Sequence, residues 1–304
     1  MVKPLLLFFI SLNNHLTYKT NHLRDAIRKT KNKARDYIMD RIGIDAGGTL
    51  IKIAYEEHGK LHVKTYPIQE KNELLQWLQF ISPHATLHVT GGKRKLISHQ
   101  LSQNIRVLDE FQSLIEGTRY LLSLEKQQKE EDYLVVNIGT GTSIFHVTKH
   151  KFERLAGSGV AGGTLMALGS LITGKSSFLK LIALAEKGNH ENSDLLVRDI
   201  YTPNEPPIFG DLTAANFGKA NLNKTASKAD HMAALIQLIG EITISLASQV
   251  AIQKDISTIV FIGSTLNGNT LLKKVLSSFQ DKLSYEAIFL DKGAYAGAIG
   301  ALIS

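Results

Sequence analysis

The chain has 304 residues, 43% of them hydrophobic and 21% charged, with a formal charge of +7 and no cysteine. That length and balance describe a globular chain with room for one large or two modest cores. The missing cysteines exclude disulfides, thiolate metal sites and a cysteine nucleophile, and they fit a reducing cytoplasm. Eight basic residues but only three acidic ones, Asp25, Asp36 and Asp40, fall in residues 1–40. The body is therefore near neutral, which argues against nucleic acid as a partner. No apolar run reaches the roughly 18 residues of a membrane span. The stretch 5–10 (LLLFFI) follows Lys3 but precedes no small-residue cleavage site. Met39 stands two residues before the first strand signal, where a start is expected. Residues 1–38 are accordingly read as an extension, disordered or foreign to the natural protein.

In chain order, alternation of Ile42 and Ile44 predicts a strand over 41–45 that ends in a Gly-rich turn. Strands follow at 50–55 and 61–66, making two antiparallel hairpins. Leu74, Leu75, Leu78 and Ile81 have helical spacing over 70–80. Short strands at 87–90 and 106–108 precede a helix at 111–124. The charged, Gln-rich link 127–132 is the candidate domain boundary. Then strand, Gly/Thr turn, strand, strand returns at 133–156, a weak repeat of 41–66 at domain scale. Helices are expected at 163–173, 176–187 and 228–252, the last after a Pro-rich loop at 203–211. The end reads as strand 258–262, helix 266–277, strand 287–290 and helix 294–302. Alternating strands and helices indicate an α/β chain with mixed sheets.

The first turn, Asp45-Ala46-Gly47-Gly48-Thr49, has the residue types of a phosphate cradle. Glycines let backbone N–H groups approach an anion, and Thr49 adds a hydroxyl. Asp45 could orient Mg²⁺ directly or through water, and Lys52 could add positive charge. Alone, the same residues describe a plain hairpin turn. The counterpart in the second half, Gly139-Thr140-Gly141-Thr142-Ser143, changes that, because two such hairpins can grip one nucleotide from both sides. A third Gly-rich turn, 157–164, opens into a helix whose N-terminal N–H groups are an expected anion site. A fourth, Gly263-Ser264-Thr265, lies between strand and helix. No Walker P-loop string occurs. His84, His88 and His99 have no ligand spacing and read as structural or surface residues.

Together these turns resemble the actin-like ATPase and sugar kinase superfamily, which implies two related RNase H-like domains, 39–130 and 131–304, with mixed sheets flanked by helices and a nucleotide cleft between them. Residues 43–52 (GIDAGGTLIK), 137–143 (NIGTGTS), 205–218 (EPPIFGDLTAANFG) and 293–301 (GAYAGAIGA) resemble the type II pantothenate kinases, most closely the short bacterial members. The similarity spans about 41–302. It implies ATP and Mg²⁺ as cofactors, pantothenate as a small-molecule substrate, a homodimer in the cytoplasm, and neither nucleic acid nor membrane as partner. It implies that Glu110 is the general base on the pantothenate hydroxyl, with Asp109 a competing carboxylate. It implies that Arg154 meets the substrate, as a guanidinium fork suits carboxylate or phosphate oxygens. It places Gly47, Gly48, Thr49, Leu50, Ile51, Lys52, Ile53, Ala54, Thr140, Gly162, Gly163, Thr164, Leu165, Met166, Phe178 and Ser264 at the nucleotide, with Asp45 at the metal. Periodicity alone makes Phe178 a core residue, and the apolar helix 233–251 core or dimer interface. A sugar or amino-sugar kinase, or a nucleotide-binding regulator without turnover, would share the glycine turns.

Overall fold

The computed structural model describes residues 40–98, 101, 103–125 and 132–304. The expected extension 1–38, most of the link 127–132 and His99 lie outside the described residues. Strands β1 (Arg41–Ala46), β2 (Leu50–Glu57) and β3 (Lys60–Pro67) form an antiparallel meander. On the other side of β1, β4 (Thr86–Thr90) and β5 (Ile105–Val107) add in parallel. Helices α1 (Lys71–Ile81) and α2 (Lys95–Ser98) connect these strands, and α3 (Glu110–Glu125) leads out of the sheet.

The pattern then repeats. Strands β6 (Asp132–Ile138), β7 (Thr142–Thr148) and β8 (Phe152–Ser158) form a second meander. Helices α4 (Gly162–Thr173) and α5 (Phe178–Ala185) follow, then a small two-stranded ladder of β9 (Leu195–Leu196) and β10 (Thr213–Ala215) around α6 (Val197–Tyr201). The long α7 (Lys228–Lys254) leads to β11 (Thr258–Ile262), α8 (Thr270–Ser277), α9 (Gln280–Leu283), β12 (Glu286–Phe289) and α10 (Ala296–Ile303). Both five-stranded sheets share one plan. The first is ordered β3-β2-β1-β4-β5 and the second β8-β7-β6-β11-β12, with matching antiparallel and parallel pairs. The expected α/β architecture of two related halves is therefore present. Elements α2, α6, α9 and the β9–β10 ladder were not expected from periodicity. The helix expected from 266 starts later because Asn269 caps it, accepting the Leu272 N–H at 3.1 Å.

Strand parity decides what faces the interior. On β1, Ile42, Ile44 and Ala46 enter a core with Leu74 and Leu78 of α1. Gly43 and Asp45 therefore take the opposite face, where α10 lies. A side chain at Gly43 would collide with the Ala298 carbonyl and lie 2.6 Å from Leu302 N. Gly117 and Gly300 permit equally close approach between α3 and α10. These two helices are sandwiched between the sheets: Leu114, Leu121, Ala298 and Leu302 share one core with Val135, Phe145, Val260 and Ile288 of the second sheet. The last helix of the chain thus packs on its first strand. His88, on the same face of β4, is buried and donates from Nδ1 to the Ala301 carbonyl at 2.8 Å. Burial pushes its pKa down, and Arg106 and Arg41 add to this against the raising effect of the Ala301 bond.

The outer face of the second sheet carries the third core, where Leu134, Val136 and Ile138 meet Leu165, Leu181, Met232 and Leu235. Each such side chain, fully buried, contributes about 1.5–3 kcal/mol. Helix α7 is long and apolar enough to cross a membrane by length and composition, yet half of its most apolar window is buried against this core.

Candidate active site

The two hairpin turns project from equivalent places in the two sheets and meet. Asp45 pairs with Lys52 across β1 and β2, and Asn137 pairs with Ser143 across β6 and β7. Parity puts all four on the faces turned toward the other half. The Thr49 and Thr140 hydroxyls stand 3.3 Å apart, and a Cβ built on Gly48 would point at the Thr140 hydroxyl from 3.6 Å. Between and beside the turns lies a cleft of about 370 Å³. Gly47, Gly48, Thr49, Leu50, Lys52, Thr140 and Ser264 line it, together with Asp45, Glu110 and Arg154.

Carbonyl oxygens repel anions, so a phosphate cradle must turn them away. In the second turn, the Gly139 carbonyl accepts from Gly162 N–H at 3.0 Å and from the Thr265 hydroxyl at 2.8 Å. The Thr140 carbonyl accepts from Gly163 N–H at 2.9 Å. In the first turn, the Ala46 carbonyl accepts from Lys93 N–H at 2.9 Å and the Gly48 carbonyl from Lys93 Nζ at 2.7 Å. These four carbonyls are thus committed behind the turns, while the Gly47 and Gly139 N–H groups close the turns themselves by donating to the Leu50 and Gly141 carbonyls. That leaves the Gly48 and Thr49 N–H groups and the Thr49 and Thr140 hydroxyls for the cleft. This corrects one expectation. The N–H groups of Gly162 and Gly163 at the start of α4 are not free for an anion, because they hold the second turn.

The remaining nucleotide candidates divide by burial. Ile51, Ile53 and Ala54 are fully buried in the cores, as is Leu165, so their side chains do not reach the cleft. Met166 and Phe178 pack against the core of the second half, in line with the periodicity of Phe178. Thr164 donates its hydroxyl to the Gly159 carbonyl at 3.0 Å. The first and second turns and Ser264 line the cleft, whereas Leu165 is buried and Met166 and Phe178 pack on the core of the second half.

Glu110 is the first residue of α3, at the cleft wall. Asp109 is engaged otherwise: its carboxylate accepts the Gln112 N–H at 2.9 Å, capping the helix, and it does not line the cleft. Capping by Asp109 fixes where α3 begins and so aims Glu110 inward. Desolvation by the cleft walls pushes the Glu110 pKa up. Asp45 pushes the same way, Arg94 opposes, Asp109 raises and Lys52 lowers it, in falling order of effect. Crowding by these walls acts although the side chain keeps open surface toward the cleft. A carboxylate above its ordinary range is a better proton acceptor near neutrality.

Arg154 reaches the cleft through a break in strand pairing. Ile144 pairs with Ala156 but Phe145 pairs with Arg154, so Leu155 is an extra, bulged residue. The bulge re-aims the strand and sends Arg154 to the cleft side. Its Nε donates to the Ser143 hydroxyl at 3.3 Å, and its guanidinium folds over Gly157. Two residues to which the sequence reading gave no role also matter here: Lys93, which holds the Gly48 carbonyl of the first turn, and Gly297 at the start of α10, which lines the cleft and where a Cβ would lie 2.9 Å from Asp45 Oδ2. The small-residue run 293–301 was the available signal for that close approach.

Comparisons with known proteins bear on the family and the fold. The family model described as Fumble matches residues 56–304. A type II pantothenate kinase of Oceanobacillus iheyensis is 49% identical over 266 residues, covering 88% of this chain and 100% of that protein. Among solved structures, an activator of 2-hydroxyisocaproyl-CoA dehydratase from Clostridium difficile with bound ADPNP aligns with a TM-score of 0.57 at 14% identity, over 86% of this chain and 92% of that one. A ROK family glucokinase from Streptomyces griseus, in complex with glucose and AMPPNP, gives 0.50 at 14% identity, over 86% and 98%. At such identities these two likenesses speak to the fold alone. The match to the family model over residues 56–304 and the match along the whole length of the Oceanobacillus relative place the chain in the type II pantothenate kinase family.

Proposed function

We propose that this chain transfers the γ-phosphoryl group of ATP to the 4′-hydroxyl of pantothenate, giving ADP and 4′-phosphopantothenate, the first step of coenzyme A biosynthesis. One observation carries the reading: a carboxylate with raised pKa, Glu110, and an arginine, Arg154, line the same cleft as the paired glycine turns. The turns and Ser264 receive the nucleotide. Glu110 accepts the hydroxyl proton while the new O–P bond forms and the bond to the ADP oxygen breaks. Arg154 holds the pantothenate carboxylate at a distance from that hydroxyl.

The donor set fits a Mg²⁺ ion held mostly by phosphate and water. Among the described residues no cluster of three or more His, Asp or Glu could cage a metal. Mg²⁺ needs only one or two carboxylates when nucleotide phosphates supply the rest. Asp45 faces the cleft, 3.6 Å from Lys52 Nζ, and is the residue to hold it. Bound with ATP, the ion would neutralise charge on the β- and γ-phosphates. In the same reading 39–130 and 131–304 are the two lobes, with α10 returned onto the first. The chain works in the cytoplasm as a homodimer, for which exposed Leu171, Leu179 and Ile252 on α4, α5 and α7 supply apolar surface. Light scattering giving twice the chain mass is expected, and a monomer would contradict it.

The test is ADP release with purified protein, ATP and either pantothenate or a panel of sugars and amino sugars. Turnover with pantothenate alone is expected. Turnover with a sugar but not pantothenate would reject the reading, and ATP binding without any turnover would favour a regulator.

A further inference from the structure

We propose that Lys93 is a positioning residue of the first phosphate turn: by holding the Gly48 carbonyl it fixes the 48–49 peptide so that the Thr49 N–H faces the nucleotide. This rests on the reading of the cleft as an ATP site. The argument starts from the asymmetry between the two turns. Gly48 stands three residues after Asp45, and Thr140 three residues after Asn137. The carbonyl at this place in the second turn is held by a backbone donor, Gly163 N–H. In the first turn the donor is a side chain, Lys93 Nζ at 2.7 Å, from the turn that leads into α2.

Without such a donor the first turn has little to choose its peptide orientation. Gly47 and Gly48 lack side chains, so the following peptide can rotate with small steric cost. A trans peptide points its C=O and N–H in opposite directions. Binding the Gly48 carbonyl from one side therefore presents the Thr49 N–H on the other, the side of the cleft lining. Neither Gly48 N–H nor Thr49 N–H donates to a backbone acceptor among the described residues, as a group kept for a ligand should not.

The lysine is itself well placed by the fold. Gly91 takes a left-handed conformation at φ +93°, with its Cα against Ala46: a Cβ there would lie 2.7 Å from the Ala46 carbonyl carbon. Lys93 N–H then binds the Ala46 carbonyl at 2.9 Å. Main chain and side chain of one residue thus grip the turn at two carbonyls two residues apart. The sequence places these groups 45 residues apart, and no spacing rule links them.

The test uses the full chain labelled with ¹⁵N-threonine, the Thr49 amide resonance being identified by Thr49→Ser. In nucleotide-free protein, Lys93→Met is expected to move or broaden the Thr49 amide signal, while Lys93→Arg, which still donates, leaves it near the wild-type position. Kinetically, Lys93→Met should raise the ATP KM about tenfold, the scale of a charge-assisted hydrogen bond, with kcat and the pantothenate KM near wild type. Lys93→Arg should recover most of that loss. An unchanged Thr49 amide in nucleotide-free Lys93→Met would overturn the proposal even if ATP bound less well, since Lys93 would then meet phosphate directly. A raised pantothenate KM with normal ATP KM would overturn it too. A wild-type Thr49 amide indifferent to saturating ATP would overturn the nucleotide reading beneath it. Should Lys93→Met not fold, Lys93→Leu, which likewise has no donor, carries the same measurements.

Discussion

The hydroxyl oxygens of Thr49 and Thr140, 91 residues apart in sequence, lie 3.3 Å from each other where the two hairpin turns meet. This contact joins the two halves at the proposed phosphate site. It predicts that the hydroxyls act as a unit. Thr49→Val and Thr140→Val should each raise the ATP KM, and the double variant should lose about fivefold less than the product of the two, a coupling of about 1 kcal/mol. Strict additivity would show that the turns bind independently.

Glu110→Gln removes the proposed proton acceptor and keeps the shape. The turnover rate should fall by about 10²–10⁴-fold, with ATP affinity near wild type because the turns are untouched. Full activity would remove Glu110 from the mechanism. Asp109→Asn should cost little by comparison, since an amide oxygen still caps α3.

The pH dependence follows from the same carboxylate. A base must be ionised to act, so kcat/KM falls as the pH drops through its pKa. Desolvation and Asp45 raise that pKa, and Arg94 opposes them. The acid limb should therefore lie above the ordinary carboxylate range. Arg94→Met removes an attraction to the ionised form and should shift the limb to still higher pH. An unmoved limb, or one shifted down, would contradict the assignment.

Arg154 depends on Gly157. A Cβ at Gly157 would strike the Arg154 guanidinium and lie 2.8 Å from the Thr142 carbonyl. Gly157→Ala should thus displace the arginine and raise the pantothenate KM while sparing the ATP KM. Arg154→Ala should raise it about 10–100-fold, the loss of a charge-assisted pair. Arg154→Lys should restore little if the fork geometry is what binds. Steady-state kinetics with each substrate varied in turn decides this.

Asp230, at the start of α7, ties the helix to the segment before it. Burial raises its pKa, but hydrogen bonds from Asn189 N–H and Ser227 outweigh that and hold it at about 2, against 3.8 unperturbed. A depressed carboxylate pKa stabilises the fold above the unfolded value, and that stability is lost as the pH falls toward the folded value. Asp230→Ala should cost about 2 kcal/mol at neutral pH, read from urea midpoints. The gap to wild type should narrow as the pH falls below about 4. A constant gap would mean that the ionised form is not what the hydrogen bonds favour.

Much of this was legible in the sequence because it is local. The alternation of Ile42 and Ile44 gave β1, and parity already set Asp45 on the face opposite them. The recurrence of strand, Gly/Thr turn and strand at 133–156 announced the second sheet with the same strand order. Parity could also have separated Lys52, which faces the cleft, from buried Ile51 and Ile53. Asp109 followed three residues later by Gln112 is a helix-start signature that distinguishes the capping carboxylate from Glu110. Other features depend on contacts between distant residues. Nothing near Lys93 points to Gly48. The use of Gly162 and Gly163 N–H to hold the second turn, rather than an anion, appears only when α4 is seen against it. The packing of α10 on β1 brings together residues from the two ends of the body.

The central claim is that Glu110, beside the paired turns, drives phosphoryl transfer to pantothenate. The most direct measurement follows the label from γ-³²P-ATP into pantothenate with wild-type and Glu110→Gln protein, each shown to bind ATP. The account predicts labelled 4′-phosphopantothenate from wild type and a rate lower by about two orders of magnitude or more from the variant. Equal labelling by both proteins, or label that never leaves ATP for pantothenate, would contradict it.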